Sequence, residues 1–167
     1  IPGNHDAYIE VPWARSWSLW APYMASETAN GVAIPPTGFD AFPLVRRRGP
    51  VAIVGLSSAL PTSPGLATGK LGPRQLAALV DRLTELGRER LFRIVLIHHP
   101  PIAGTTKPRK SLVDSELFRR AVEEAGAELV LHGHDHRFEL GELRGPEGPV
   151  PVIGVVDTQR SAEIMER

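Results

Sequence analysis

The sequence predicts an α/β fold, and three of its features lead to that prediction. Apolar runs of strand length, such as 51–56 and 92–97, alternate with two stretches in which apolar residues recur at helical spacing. The resulting order of strand, helix, strand, helix, strand favours right-handed crossovers and a sheet that is at least partly parallel. The length of 167 residues suits one domain of ordinary size, so we treat 1–167 as a single unit.

Four aromatic residues mark the otherwise irregular first fifty residues. Trp13, Trp17, Trp20 and Tyr23 follow one another at spacings of four, three and three, which indicates one face of a short helix. We expect this face to pack against the core, and a lid beside a substrate pocket is the alternative. The Pro- and Gly-rich stretch 33–40 is predicted to be a loop.

A hairpin and a helix are predicted next. The runs 42–47 and 51–56 flank a turn that contains Gly and Pro, which indicates two paired strands. Pro73 suits the first turn of a helix, and Gly87 is its expected end. The predicted inward-facing residues of this helix are Leu76, Leu79, Val80, Leu83 and Leu86.

The second half of the chain continues the alternation. The run 92–97, apolar apart from Arg93, predicts a strand buried on both faces, and 114–124 is a predicted helix that stops at Gly126. The residues of this helix expected to face inward are Leu117, Phe118, Ala121 and Val122. Three later strands are predicted at 128–131, 137–143 and 150–156.

Composition excludes several classes of protein. Nineteen Lys and Arg balance nineteen Asp and Glu, so the bulk electrostatic argument for binding nucleic acid is absent. The chain has no cysteine, which excludes disulfides and thiolate metal sites. No apolar run approaches the ~18 residues of a membrane-spanning helix. The first residues also lack the pattern of a signal peptide, and we expect a cytoplasmic protein.

Six histidines fall in three short segments rather than being scattered along the chain. These segments are 3–6, 98–101 and 132–136, and the second and third each follow a predicted buried strand. Ligands of open α/β sheets bind beyond the carboxyl ends of the strands, where the loops converge. We therefore expect histidines that are distant in sequence to meet at one edge of the sheet.

The residue types in these segments suit a metal ion. His134 and His136 are two residues apart, so in extended chain their imidazoles point to the same side and can grip a divalent transition metal. A pair of exposed surface histidines is the alternative, which His98 at a second strand end disfavours. Asn4 adds a neutral carbonyl oxygen as a harder ligand. Asp6 could hold His5 as an imidazolium or fix its tautomer, as a general acid requires.

Taken together, three blocks resemble the last three signature motifs of the calcineurin-like metallophosphoesterase family, in its bacterial phosphodiesterase-like form. They are Gly3-Asn4-His5-Asp6, His98, and Gly133-His134-Asp135-His136, in the order that the family uses. The resemblance implies a layered α/β/β/α sandwich. It also implies a hydrolase in which two metal ions share a bridging hydroxide that attacks the phosphorus of a phosphomonoester or phosphodiester.

The resemblance assigns roles residue by residue. It places Asn4, His98 and His134 on one metal ion and His136 on the other, and it makes His5 the general acid with Asp6 as its partner. His99 becomes a candidate either for supporting the metal ligands from behind or for contacting the substrate. The two ions would be divalent or trivalent, because imidazole and oxygen ligands suit Mn, Fe, Zn or Co alike.

The family's first two blocks, an Asp-x-His and a Gly-Asp, do not precede Gly3. They would supply the carboxylate that bridges the two metals, so we interpret the chain as the C-terminal portion of a longer phosphoesterase whose N-terminal strands are absent. We expect partial or no metal occupancy, little activity of this chain alone, and a homodimer formed through the sheet edge that truncation exposes.

Two other hypotheses remain open. A degenerate, non-catalytic module of the same fold would bind a partner or a single metal ion. A nuclease of the same superfamily is disfavoured by the zero net charge.

Overall fold

A six-stranded mixed sheet forms the centre of the fold, which the computed structural model describes for residues 1–7 and 9–156. The strands in chain order are β1 (Ser26–Glu27), β2 (Ala33–Ile34), β3 (Leu44–Arg48), β4 (Val51–Gly55), β5 (Phe92–Ile97), β6 (Leu129–His132), β7 (Glu139–Gly145) and β8 (Gly148–Gly154). The first two form a separate two-stranded sheet. The helices are α1 (Pro73–Arg88) and α2 (Ser115–Ala125), and five short 3-10 helices lie at Asn4–Asp6, Trp13–Arg15, Trp17–Met24, Phe39–Ala41 and Pro108–Lys110.

The large sheet is parallel at its centre and antiparallel at its edges. Its spatial order is β3-β4-β5-β6-β8-β7, with β4, β5, β6 and β8 parallel to one another. The edge strands β3 and β7 pair antiparallel with β4 and β8. This arrangement confirms the predicted α/β class and the partly parallel sheet. It also confirms the predicted hairpin, which is formed by β3 and β4.

The two helices lie where the apolar periodicity predicts them. Pro73 occupies the first turn of α1, and Gly126, with φ of 78°, ends α2 as expected. Helix α1 continues to Arg88, one residue past the predicted stop at Gly87. The carboxylate of Asp114, just before α2, accepts backbone N–H groups from Leu71 and Gly72, so it links the starts of the two helices.

The main core lies between the helices and one face of the sheet. Val54, Val95, Val130 and Val152 sit side by side across four strands, and each is essentially inaccessible to solvent. Phe118 of α2 packs in the same cluster, together with Leu76, Leu79, Leu83 and Leu86 of α1. The prediction that Leu117 faces inward is wrong, because the helical turn of about 100° per residue that buries Phe118 leaves its neighbour 50% exposed.

The opposite face of the sheet is apolar but only partly covered. Ile53, Ile94 and Leu96 lie on it at intermediate burial, as do Leu129, Leu131 and Ile153 of the neighbouring strands. Phe92 is 46% exposed, so the prediction that 92–97 is buried on both faces is wrong for the described residues. Within residues 1–7 and 9–156, the α-helices cover one face of the sheet, and no second large sheet packs on the other.

A small second core anchors the N-terminal aromatic segment near β3. Trp17 is buried with Met24, Phe42 and Leu44. Trp20 and Tyr23 are exposed, so the predicted packing of the whole aromatic face against the core holds only for part of it. None of the helices in the described part of the chain combines the length and apolar character needed to cross a membrane.

Candidate metal centre

His98 and His134 lie together just past the carboxyl ends of two neighbouring parallel strands. Strand β5 ends at Ile97 and β6 at His132, and these two residues are register partners. The backbone pairing continues for one more step, because Gly133 N–H donates to the carbonyl oxygen of His98 over 3.1 Å. The expected convergence of these histidines is therefore what the structure has.

Three candidate ligand atoms form a small triangle at this edge. His98 Nε2 lies 2.9 Å from Asn4 Oδ1 and 3.1 Å from His134 Nδ1. The third side, from His134 Nδ1 to Asn4 Oδ1, is 3.2 Å. Gly3 permits this approach, since a Cβ at that position would lie 2.7 Å from the His98 ring. The sequence prediction of Asn4, His98 and His134 thus selected three residues whose polar atoms converge.

The dimensions of the triangle match one face of a metal coordination shell. Two neighbouring ligands of an octahedral ion, each about 2.1 Å from it and 90° apart, are separated by about 3.0 Å. Tetrahedral ligands at the same distance are separated by about 3.4 Å. The observed sides of 2.9, 3.1 and 3.2 Å therefore leave a point equidistant from all three atoms at an ordinary metal–ligand distance.

Burial keeps the two imidazoles of the triangle neutral. It lowers the pKa of His98 to about 4, and the neighbouring His134 adds to that effect. Burial is also the largest cause that lowers the pKa of His134. A neutral imidazole has a lone pair available for a metal, whereas an imidazolium does not.

The loop after β6 carries backbone strain at both of its predicted ligands. His134 has φ of 72° and His136 has φ of 53°, in the left-handed region that non-glycine residues seldom adopt. His134 Nε2 is buried and has no hydrogen-bond partner among the described residues. Strain and an unpartnered buried nitrogen at one residue are typical of a site held in place for function rather than for stability.

His99 lies against the triangle but has no ring nitrogen to spare. Its Nδ1 lies 2.7 Å from Ser58 Oγ, and its Nε2 lies 3.1 Å from the carbonyl oxygen of Ala67. A carbonyl only accepts, so Nε2 must carry the proton and Nδ1 accepts from the serine hydroxyl. Burial lowers the pKa of His99 to about 3. Of the two roles that the resemblance leaves open for His99, these contacts favour support of the ligands over contact with the substrate.

The ligand atoms of His98, His99 and His134 lie within 4.8 Å of one another, so these three histidines are an alternative metal-binding group. Asn4 is the better third ligand, because both nitrogens of His99 are already bonded. Among the residues that the structure describes, His98, His99 and His134 are the one group of three or more His, Asp or Glu side chains whose ligand atoms lie that close together.

The remaining predicted site residues surround the triangle. His5, Asp6 and His136 are exposed, and all three act electrostatically on the pKa of His98, which places them near it. Asp6 Oδ2 accepts the backbone N–H of Gly3 over 2.8 Å, so this carboxylate holds the turn that carries Asn4 and His5. The predicted pairing of Asp6 with His5, and the second metal at His136, stay predictions.

The sequence analysis assigned no role to the residues that hold the cluster from behind. Gly69 leaves the space that the His99 ring occupies, and Ser58 and Ala67 fix the tautomer of that ring. Thr106 Oγ1 donates to Asp135 Oδ1 over 3.0 Å and thereby braces the loop of His134. These roles could not be assigned from sequence, because each residue contributes a small side chain, a hydroxyl or a backbone carbonyl to a contact across the fold.

No protein-family model matches the sequence, and no curated protein matches it either.

Proposed function

We propose that this chain carries the histidine side of a two-metal phosphoesterase centre, which hydrolyses a phosphomonoester or phosphodiester. The observation that carries the proposal is the triangle of Asn4 Oδ1, His98 Nε2 and His134 Nδ1, with sides of 2.9, 3.1 and 3.2 Å. Residues 94 and 36 positions apart in sequence form it, and hydrogen bonding alone would not require all three polar atoms to meet at one point.

The three triangle residues would hold one ion, and His136 would reach the second. Nitrogen and amide-oxygen ligands suit Mn, Fe, Zn or Co. A bound metal pair polarises the phosphoryl group and activates water for attack. The protein's part is to keep the ligand imidazoles neutral by burial and to fix their positions through Gly3, Ser58 and the short backbone link from Gly133 to His98.

His5 would act as the general acid. Its side chain is exposed beside the triangle, on the turn that Asp6 fixes through Gly3. His5 directly follows Asn4 in the chain, and the proposal places its imidazole beside the leaving-group oxygen of a phosphate bound at the metals. A proton donated there neutralises the charge that develops on the leaving oxygen.

The partly covered sheet face supports a sandwich fold. Ile94, Leu96 and Leu131 present an apolar surface of the kind that buries itself against a second layer. We propose that a second sheet covers this face and supplies the carboxylate ligands that the described cluster lacks. The full α/β/β/α arrangement of a calcineurin-like phosphoesterase would then be reached.

A non-catalytic module that binds a single metal is the second candidate. It is favoured by one observation, which is that the described metal-binding group contains histidines and no carboxylate. A lone ion without a bridging carboxylate has no second metal to share a nucleophile with, so such a module would bind but not hydrolyse.

Two measurements on the full chain separate these candidates. The first is hydrolysis of bis(p-nitrophenyl) phosphate and p-nitrophenyl phosphate with and without Mn²⁺. The second is metal binding, measured in parallel by calorimetry. Asn4→Ala removes one ligand, and Asn30→Ala, an exposed loop asparagine, is the matched control. We expect slow, Mn²⁺-dependent turnover that Asn4→Ala lowers at least about tenfold and Asn30→Ala leaves unchanged. Metal binding without turnover would support the single-metal module instead, and the absence of metal binding would overturn both.

A further inference from the structure

A cavity of about 580 Å³ opens directly beside His5 and Asp6. Its volume falls in the range of about 300–1,000 Å³ that is usual for small-molecule sites. Trp17 and Phe39 form an aromatic wall, and Leu60 and Pro61 add apolar surface to the lining. The surface that faces the proposed general acid is therefore mainly apolar and aromatic.

The aromatic wall is tied to the segment that carries His5. Trp17 Nε1–H donates to the carbonyl oxygen of Asp6 over 3.0 Å. The rings of Trp17 and Phe39 meet edge to face, with centroids 5.0 Å apart. A molecule stacked against this wall is consequently held at a fixed position relative to His5.

A second part of the cavity lining, which includes Ser57 and Gln75, is linked by hydrogen bonds to the histidine cluster. Gln75 holds the backbone of Ser57 at both ends, through bonds of 2.9 Å to its N–H and 2.8 Å to its carbonyl oxygen. The next residue, Ser58, binds His99 through its hydroxyl and receives the backbone N–H of Lys70 through its carbonyl oxygen. Both walls of the cavity are thus pre-formed by contacts that also position the proposed metal centre.

The charges around the cavity are mixed. Lys70 is the cation among the lining residues, and Asp6 and Glu10 are the anions. A second phosphate or carboxylate on the substrate would find no excess of positive charge here, whereas an uncharged ring would find an apolar surface. The chemistry of the lining therefore selects against an anionic leaving group.

We propose that this cavity binds the leaving group of the substrate, and that this group is an uncharged aromatic alcohol of about nucleoside or aryl-alcohol size. The inference rests on the proposed phosphoesterase function. In the hydrolysis, water forms a new bond to phosphorus and gives its proton to solvent. The bond from phosphorus to the leaving oxygen breaks with its electron pair, and that oxygen takes a proton from His5 and departs as the alcohol in the cavity.

Binding of uncharged aromatic alcohols tests the proposal without any catalytic readout. Adenosine and 4-nitrobenzyl alcohol are titrated into the chain in the presence of chelator, with ribose as the non-aromatic comparison. The indole Nε1–H resonance of Trp17 is followed by NMR, since this group donates to Asp6 at the cavity wall. We expect saturable shifts with at least one aromatic alcohol and none with ribose.

Two matched substitutions locate the binding. Leu60→Asp places a charge in the cavity wall, and Leu117→Asp places the same charge on an exposed position of α2. We expect Leu60→Asp to weaken binding at least tenfold and Leu117→Asp to leave it unchanged. Absence of saturable shifts in the unsubstituted chain overturns the proposal, whether or not Leu60→Asp folds.

The two proposals fail separately in this design. Mn²⁺ binding that depends on Asn4, together with no binding of either aromatic alcohol, overturns the cavity assignment and leaves the metal centre standing. Alcohol binding without Mn²⁺ binding at Asn4 overturns the phosphoesterase assignment, and with it the role of leaving group given to the bound alcohol.

Discussion

His98 Nε2 lies 3.1 Å from His134 Nδ1, although the two residues are 36 positions apart in the chain. Neighbouring parallel strands end beside one another, so residues just past their carboxyl ends meet. Both imidazoles are neutral in this environment because burial depresses their pKa values. Two lone-pair-bearing nitrogens this close, with an amide oxygen as the third corner, form a site that a cation would stabilise.

The burial of His98 and His99 predicts that the metal-free fold is sensitive to acid. An unfolded chain takes up protons on His98 and His99 near pH 6.5, whereas the folded chain resists until about pH 4 at His98 and about pH 3 at His99. The unfolded state therefore binds more protons through this window, and the stability that the neutral imidazoles allow is lost as the pH falls from about 6.5 toward 3–4.

Urea unfolding in the presence of chelator at pH 7.5 and pH 5 measures this effect. We expect a lower midpoint at pH 5, and a smaller difference in His98→Gln, which removes one of the depressed histidine titrations. Equal midpoints at both pH values would show that the buried imidazoles do not control the acid response.

The packing of His99 against Gly69 predicts a strong steric effect of a single methyl group. A Cβ at residue 69 would overlap the His99 ring, which is fully buried and bonded at both nitrogens. We expect Gly69→Ala to lower the free energy of unfolding by about 1–3 kcal/mol. Gly38→Ala is the control, because a Cβ there meets open space and the backbone is extended. Equal unfolding midpoints for the two variants would contradict the packing of His99 described above.

Arg93 holds the helices to the sheet and predicts a large loss on truncation. Its guanidinium bonds to Glu128 and donates to the carbonyl oxygens of Leu83 and Ala125 at the two helices. Burial pushes the pKa of Glu128 upward, but the bonds from Arg93 outweigh it and hold that pKa below its usual value. Arg93→Ala would leave two carbonyls without this donor and a partly buried carboxylate without its guanidinium partner, although the backbone N–H of residue 93 still donates to that carboxylate.

We expect Arg93→Ala to lower the free energy of unfolding by about 2–4 kcal/mol. Arg74→Ala is the matched control, since Arg74 and its partner Asp40 are both largely exposed, and we expect a change within about 0.5 kcal/mol. Chemical denaturation of the two variants side by side decides the question. Similar losses in both would mean that the Arg93 network adds nothing beyond a surface ion pair.

Periodicity predicted the elements well because their causes are local. The strand at 92–97, the start of α1 and the end of α2 follow from apolar spacing, Pro73 and Gly126, and they lie where expected. The exposure of Phe92 and Leu117 could not be predicted, because it depends on which layers pack against the sheet. For the same reason no role could be assigned to Ser58 and Gly69 from sequence, since their role exists only after residue 99 is folded against them.

The predicted homodimer would form through an edge strand of the large sheet, and we take β7 as that strand. In the described chain, β7 has one strand neighbour, β8, and Leu140 on it is 72% exposed beside the apolar face. We expect Leu140→Lys to reduce dimer formation in sedimentation experiments, because edge charges block strand pairing. A chain that is monomeric at high concentration before any substitution would contradict the predicted homodimer.

Anomalous diffraction from crystals grown with Mn²⁺ tests the central claim most directly. We predict a peak at about 2.0–2.2 Å from each of Asn4 Oδ1, His98 Nε2 and His134 Nδ1, and no such peak in Asn4→Ala crystals grown alongside. A fully occupied Mn²⁺ elsewhere in the molecule, or an empty triangle at millimolar metal, would contradict the account.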